Sequence, residues 1–456
     1  MDATTDRLLE ETAARAQRYL ATLGMRSVAP SDDAVAGLGH LTGPLPEEGL
    51  APSEVLELLD QWGSPATVAS AGGRYFGFVV GSALPAALAA NWLASTWNQN
   101  SAVRVMSPTA AALEETALDW IRELVGLPRG VQGAFVTGDT MANFTSLAAA
   151  RHAVLERVGW DVERQGLTGA PKVTVVVGQE VHLSVVKALA LVGFGRDALL
   201  RVPADEQGRI RPSEVPALSG PTIVCLQAGC VNTGAFDPAT EIIARAHAAG
   251  AWVHVDGAFG LWANASPRLR PLAAGIEGAD SWALDGHKWL NVPYDSGVVF
   301  VRDPSALRSA MSGGPAAYLP QGPRAEGMEL APEMSRRARG VDAWAAIRSL
   351  GRRGVGKLVE DACAHATRFA ERLHAAGYEI LNDVVLNQVL VSFGDDATTR
   401  AVIAAVPAEG TCWAGGTVWH GRAALRFSVS SWATTEDDVE RAASAIVRVA
   451  GAVRAG

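Results

Sequence analysis

The sequence predicts an α/β protein built on a mostly parallel sheet with helices on both faces. Two observations carry this. Between about residues 133 and 301, short β-branched runs alternate with helical patterns. Those runs are also continuously apolar rather than alternating, as strands buried on both faces must be. The strand candidates are 133–137, 172–177, 222–226, 252–256 and 298–301, with helices expected at 141–154, 183–192 and 240–249. Ligands in such folds sit beyond the carboxyl ends of the strands.

Flanking regions read differently. Residues 1–70 form a helical arm: Leu8, Leu9, Ala13, Ala16 and Leu20 recur at helical spacing, and Pro30, Pro44, Pro46 and Pro52 break up the rest of the arm. Two helices, 84–97 and 109–124, lead into the sheet. Residues 309–333 are rich in Gly and Pro, and their length marks a functional loop. A long helix over about 341–376 opens a terminal αβ unit with strands at 389–393 and 425–429 and a last helix at 436–453. The expected units are therefore 1–70, 71–335 and 336–456.

Composition excludes several function classes. With 48% hydrophobic and 19% charged residues among 456, the chain has a large core and is not disordered. Thirty-nine Lys+Arg against 48 Asp+Glu leave no basic excess for nucleic acid. No apolar run approaches the roughly 20 residues that a bilayer requires. The opening Met1–Arg7 is acidic and lacks a leader pattern. Cys225, Cys230, Cys363 and Cys412 have neither metal spacing nor the number for a disulfide framework. A reducing, cytoplasmic setting is expected.

Chemistry concentrates around ADSWALDGHKWL (279–290). Only four Lys occur: Lys172, Lys187, Lys288 and Lys357. Lys288, between His287 and Trp289, is a Lys where plain charge would be served by Arg. A partly desolvated Lys has a lowered pKa, and its free amine can attack a carbonyl. A Lys with a packed stem and a wet head is the structural alternative. Thirty-two positions earlier, Asp256 ends the strand WVHVD, where it can cap a helix or bind a ligand. A carboxylate there would keep a pyridine nitrogen protonated, so Asp256 and Lys288 bracket a pyridoxal-phosphate ring. His254 and Asp256 share a strand face as metal ligands can, but no further ligands occur at suitable spacing, so no metal is expected. Thr137-Gly138-Asp139-Thr140 joins a strand to a helix, the geometry that offers amides to a phosphate, although a carboxylate at Asp139 must point away from one. His182, at another strand end, is either a structural residue or a group stacked on a planar ring.

These residues resemble the group II pyridoxal-phosphate-dependent amino-acid decarboxylases, the family of the aromatic amino-acid, glutamate and cysteine-sulfinate enzymes. The resemblance runs through FVTGDTMANFTSLAAAR (135–151), EVHLSVVKALALVG (180–193), GCVNTGAFDP (229–238), WVHVDGAFG (252–260) and ADSWALDGHKWL (279–290). It implies a type I pyridoxal-phosphate transferase fold, with a seven-stranded sheet in the large domain, a small C-terminal α/β domain and an N-terminal arm. It implies Lys288 as the Schiff-base lysine, Asp256 as the pyridinium partner, His182 as the stacked residue and Ala258 beneath the ring. Gly138, Asp139, Thr140, Asn232, Asp285 and His287 would complete the cofactor site. Tyr318, in the loop GPAAYL, matches the mobile Tyr that donates the proton replacing the lost carboxylate; family members lacking it tend toward oxidative aldehyde formation. The implied reaction converts an L-amino acid to its amine and carbon dioxide; the aromatic segment 75–80, with Trp92 and Trp97, is either an aromatic or apolar pocket, which favours an aromatic or bulky apolar substrate, or equally part of the core. An aminotransferase, aldehyde synthase or carbon–carbon lyase is the alternative on this scaffold, with Arg422 or Arg426 positioned to bind a substrate carboxylate. A homodimer with the site at its interface is the family expectation. Asp139, Cys230 and Val231 depart from the family's pattern, as does the Arg-rich run 335–342.

Overall fold

The fold is taken from a computed structural model, which describes residues 3–314 and 324–455. The main sheet has seven strands: β1 Gln132–Val136, β2 Thr174–Gly178, β3 Leu200–Val202, β4 Thr222–Gln227, β5 Trp252–Asp256, β6 Ser281–Asp285 and β7 Gly297–Val301. Their order is β1-β7-β6-β5-β4-β2-β3, and only β7 runs against its neighbours. Strands β4 to β7 are buried along their whole length, which explains their unbroken apolar runs. Helix Asp139–Glu156 packs on one face, with 13 of its residues buried; it lacks a polar stripe because it is covered all round.

A second sheet, ordered β10-β11-β9-β8, is antiparallel: β8 Glu379–Ile380, β9 Gln388–Ser392, β10 Gly415–Trp419 and β11 Arg422–Ser428. Of these, β8 and β10 escape the sequence pattern, the first because it has two residues and the second because it opens on two glycines. The expected long helix spans Gly340–Ala375 but breaks at Gly351, whose φ of 63° and ψ of 175° no helix accommodates. Helices Ala3–Thr22 and Pro85–Trp97 form as anticipated. No helix among the described residues is long and apolar enough to cross a membrane.

The Arg-rich run before the long helix is structural. Arg336 is buried and donates to Glu114 Oε1 at 2.8 Å and to the Phe135 carbonyl at 2.7 Å. It thereby ties the approach to the long helix to helix Pro108–Leu124 and to β1. Removing one member of a buried ion pair strands the other's charge. Glu114→Ala is therefore expected to cost about 3–5 kcal/mol in urea unfolding; a loss below about 1 kcal/mol would show that the pair is dispensable.

Candidate active site

Every expected site residue in the main sheet lies at the same edge, beyond the carboxyl ends of β1, β2, β5 and β6. Asp256 ends β5 and Asp285 ends β6. Lys288 comes three residues later, its side chain 17% exposed and its Nζ 2.8 Å from Asp285 Oδ2. The other oxygen of Asp285 accepts the Asp139 backbone N–H at 2.7 Å, which fixes the turn after β1 against the turn after β6. Gly297, paired with both Val136 and Asp285, makes that approach possible: a Cβ on it would lie 2.5 Å from Gly138 backbone atoms.

Helix Asp139–Glu156 begins in this turn, with Gly138 as its N-cap. The amides of Met141 and Ala142 both reach the Gly138 carbonyl, and that of Asp139 goes to Asp285. The Thr140 amide and hydroxyl remain as first-turn donors, as an anion site at a helix start requires. The Asp139 side chain is engaged elsewhere. Its Oδ2 meets Asn143 Nδ2 at 2.8 Å and Ser184 Oγ at 3.0 Å. Burial, then Asp256 and Asp285, push this carboxyl well above the usual carboxylate range.

His182 caps helix Leu183–Leu191, its Nδ1 accepting the Ser184 N–H at 3.2 Å, while its own N–H donates to Gln227 Oε1. Burial lowers its pKa. One ligating atom each of Asp139, His182 and Asp256 lies within 4.8 Å of the others. Asp256 Oδ1 accepts the Ala258 N–H at 3.2 Å, and the Ala258 carbonyl accepts from the Asp285 N–H. His287 Nδ1 accepts from Ser296 N–H, and its ring stacks on Tyr294 at 4.3 Å. Asn232 stands apart from this group, bonded to Thr417 and to Arg426 of β11. Tyr318 lies outside the described residues.

One sequence expectation changes. Burial alone would lower the Lys288 pKa, as anticipated, but the carboxyl groups around it, Asp285 foremost, outweigh it, and the ammonium is held above the usual Lys range. Asp285 stands three residues away in the same motif, whereas Asp256 comes from the end of another strand. His254 has no free nitrogen for a metal: Nε2 bonds Asn143 Oδ1 at 2.7 Å and Nδ1 bonds Ser281 Oγ at 3.0 Å. Sequence reasoning missed Asn143 and Ser184. Their only signals were positional, Asn143 one helical turn after Asp139 and Ser184 two residues after a capping His.

The donor set fits pyridoxal phosphate, with a Lys amine, a carboxyl at a neighbouring strand end and a helix-start cradle on one edge. Together fold and site define a pyridoxal-phosphate-dependent enzyme of the type I fold. The chain belongs to the family described as the pyridoxal-dependent decarboxylase conserved domain, matched over residues 74–394. It is 31% identical to an L-2,4-diaminobutyrate decarboxylase from Rhizobium meliloti (strain 1021) over 97% of this chain and 89% of the relative. It is 29% identical to an aromatic-L-amino-acid decarboxylase from Bacillus atrophaeus over 74% and 69%. The structure of Oryza sativa TDC with PLP and tryptamine superposes with a TM-score of 0.91 at 23% identity, over 99% of both chains. The protein is accordingly a pyridoxal-phosphate-dependent carboxy-lyase acting on an amino acid.

His254 also gives the site an acid limit. Burial lowers its pKa to about 4, against about 6.5 unfolded. Between those values the unfolded chain binds the extra proton, so stability falls as pH drops from about 6.5 to 4, by about 3 kcal/mol from this group. Urea titrations should show that part of the loss disappearing in His254→Gln; an unchanged acid slope would refute the buried neutral imidazole.

Proposed function

We propose that the enzyme decarboxylates an L-amino acid with an aromatic or bulky apolar side chain, releasing the amine and carbon dioxide. The observation that carries this is the aromatic wall beside the Lys288 loop. Tyr75 and Phe78 both stack on Trp413, at 5.1 and 5.3 Å. The same segment reaches Lys288, since the Gly81 N–H donates to the His287 carbonyl. Phe78 is 65% exposed, so it is available to a ligand, whereas Phe76 belongs to the core. Tyr294, 59% exposed, extends the wall from the other side. Trp92 and Trp97 are exposed on helix Pro85–Trp97; we assign them, with Leu93, Val105 and Met106, to a homodimer interface.

In this reading the Lys288 amine would hold the cofactor. Asp256 would keep its ring nitrogen protonated, and His182 and Ala258 would pack against its ring. Gly138, Thr140 and His287 hold the phosphate end, and Asp285 steers Lys288 through their 2.8 Å pair. When bound, pyridoxal phosphate supplies an electron-withdrawing ring that takes up the electron pair left by carbon dioxide. Tyr318 delivers the proton that replaces the carboxylate. Residues 71–335 form the cofactor-binding unit and 336–456 the smaller one, with 1–70 as the arm.

One observation favours a second reading. Arg422 is committed to Glu379, but Arg426 has only the Val231 carbonyl and Asn232 Oδ1 as partners and no carboxylate within ion-pair distance among the described residues. Its charge acts on His182. A guanidinium so placed can bind a substrate carboxylate, as an aminotransferase would require.

Incubating the holoenzyme with a panel of amino acids separates these readings. Equimolar carbon dioxide and amine, fastest from aromatic substrates, is the expected result; a keto acid without carbon dioxide would favour the Arg426 reading. With the best substrate, Tyr318→Phe should slow product formation about 10²-fold or more, or divert it to aldehyde. Unchanged rate and products would remove Tyr318 from the reaction.

A further inference from the structure

Asp139 is an unusual group to find in a phosphate-binding turn, and its hydrogen bonds specify its protonation state. The side chain is 6% exposed. Oδ2 is used by Asn143 and Ser184, whereas Oδ1 is buried with no hydrogen-bond partner. A buried ionised carboxylate lacking donors on one oxygen is strongly disfavoured, whereas the carbonyl oxygen of a neutral acid tolerates it better. The groups facing Asp139 are Asp256 from β5, Asp285 from β6, Lys288 from the turn after β6, and His182 at the start of helix Leu183–Leu191. The one ammonium among them is bonded to Asp285, not to Asp139. Two buried carboxyls as close as Asp139 and Asp256 do not both ionise readily.

Donor directions lead to the same state. The Ser184 backbone N–H can only donate, so His182 Nδ1, 3.2 Å away, is an acceptor and the ring proton sits on Nε2. Ser184 Oγ is 2.8 Å from that same Nδ1, so the hydrogen in this contact comes from the Ser184 hydroxyl. That hydroxyl has one hydrogen for two acceptors, His182 Nδ1 and, 3.0 Å away, Asp139 Oδ2: an ionised Asp139 would take it, whereas a neutral Asp139 supplies its own hydrogen to Ser184 Oγ and leaves the hydroxyl to His182. Asn143 Nδ2 donates to Asp139 Oδ2 from the other side, which a carboxylic hydroxyl oxygen also accepts.

We propose that Asp139 is a neutral carboxylic acid and, through Ser184, a positioning residue that keeps the His182 proton on Nε2. This rests on the cofactor site proposed above, within which it assigns the orientation of the ring-facing imidazole. No proton moves during turnover in this role; the chain Asp139–Ser184–His182 holds one tautomer in place.

The test is a ¹⁵N-histidine NMR titration of the holoenzyme without substrate, with His182 assigned by comparison with His182→Gln. In the wild type, Nε2 should carry the proton at neutral pH and Nδ1 should not. In Asp139→Asn, a neutral group replaces a neutral group, and the His182 midpoint should stay within about half a unit. In Ser184→Ala, the neutral ring loses a donor, so the midpoint should rise. If Asp139 is instead ionised, both variants remove support for the imidazolium, and the midpoint falls by about one unit or more in each. That fall, or a proton on Nδ1, would overturn the proposal. If the variants do not fold, infrared spectra of the wild type labelled with ¹³C-aspartate decide the matter. A label-sensitive protonated-carboxyl band that persists at pH 8, above the range of Asp237 and Asp342, which burial raises to about 6, is expected, and its absence is contradictory. These readouts report ionisation and tautomer, not turnover, so they stand apart from the outcome of the amino-acid panel.

Discussion

One ammonium set among three carboxyl groups is the constraint on which the site depends. Lys288 Nζ touches Asp285 at 2.8 Å, Asp256 acts on the same charge from a neighbouring strand end, and Asp139 closes the group from the turn after β1. Three full negative charges in so buried a space could not be sustained by one positive charge. The arrangement is stable because the three acids differ in surroundings. Asp285 has the ammonium and an amide, Asp256 has the Ala258 amide, and Asp139 has side-chain partners on one oxygen alone. On the proposed function, a protonated ring nitrogen at Asp256 would supply a second positive charge.

The fold supplies this arrangement through strand ends. Parallel β5 and β6 deliver Asp256 and Asp285 side by side, and reversed β7 brings Gly297 between Asp285 and the turn after β1. Because that position has no side chain, the start of helix Asp139–Glu156 settles against Asp285. The buried polar layer beneath, from Trp252 through Ser281, His254 and Asn143 to Asp139 and Ser184, satisfies groups that an apolar layer would have left without partners.

Much of this was legible in the sequence, for physical reasons that differ by element. Trp252–Asp256 was readable to the residue because a fully buried parallel strand is an unbroken apolar run ending in a polar group. Ser281–Asp285 carries the motif but was not read as a strand, since Ser281 and Asp285 leave it only the short apolar run Trp282–Leu284. Gly351 did not announce a break, because an isolated glycine in a helical stretch is ordinarily tolerated. Arg336 was legible only as part of a departure from the family's pattern, because its partner Glu114 lies over two hundred residues away in sequence. The ionisation of Lys288 was misjudged although Asp285 stands three residues away in the same motif: whether that carboxylate pairs with the ammonium or faces elsewhere is set by the turn after β6, not by the sequence spacing alone.

The most direct check on the account is borohydride reduction of the holoenzyme, with peptide mass mapping of the product. A pyridoxyl group on Lys288, with none on Lys172, Lys187 or Lys357, is the predicted result. A label on any of those three, or a reconstituted protein that takes up no label, would contradict it.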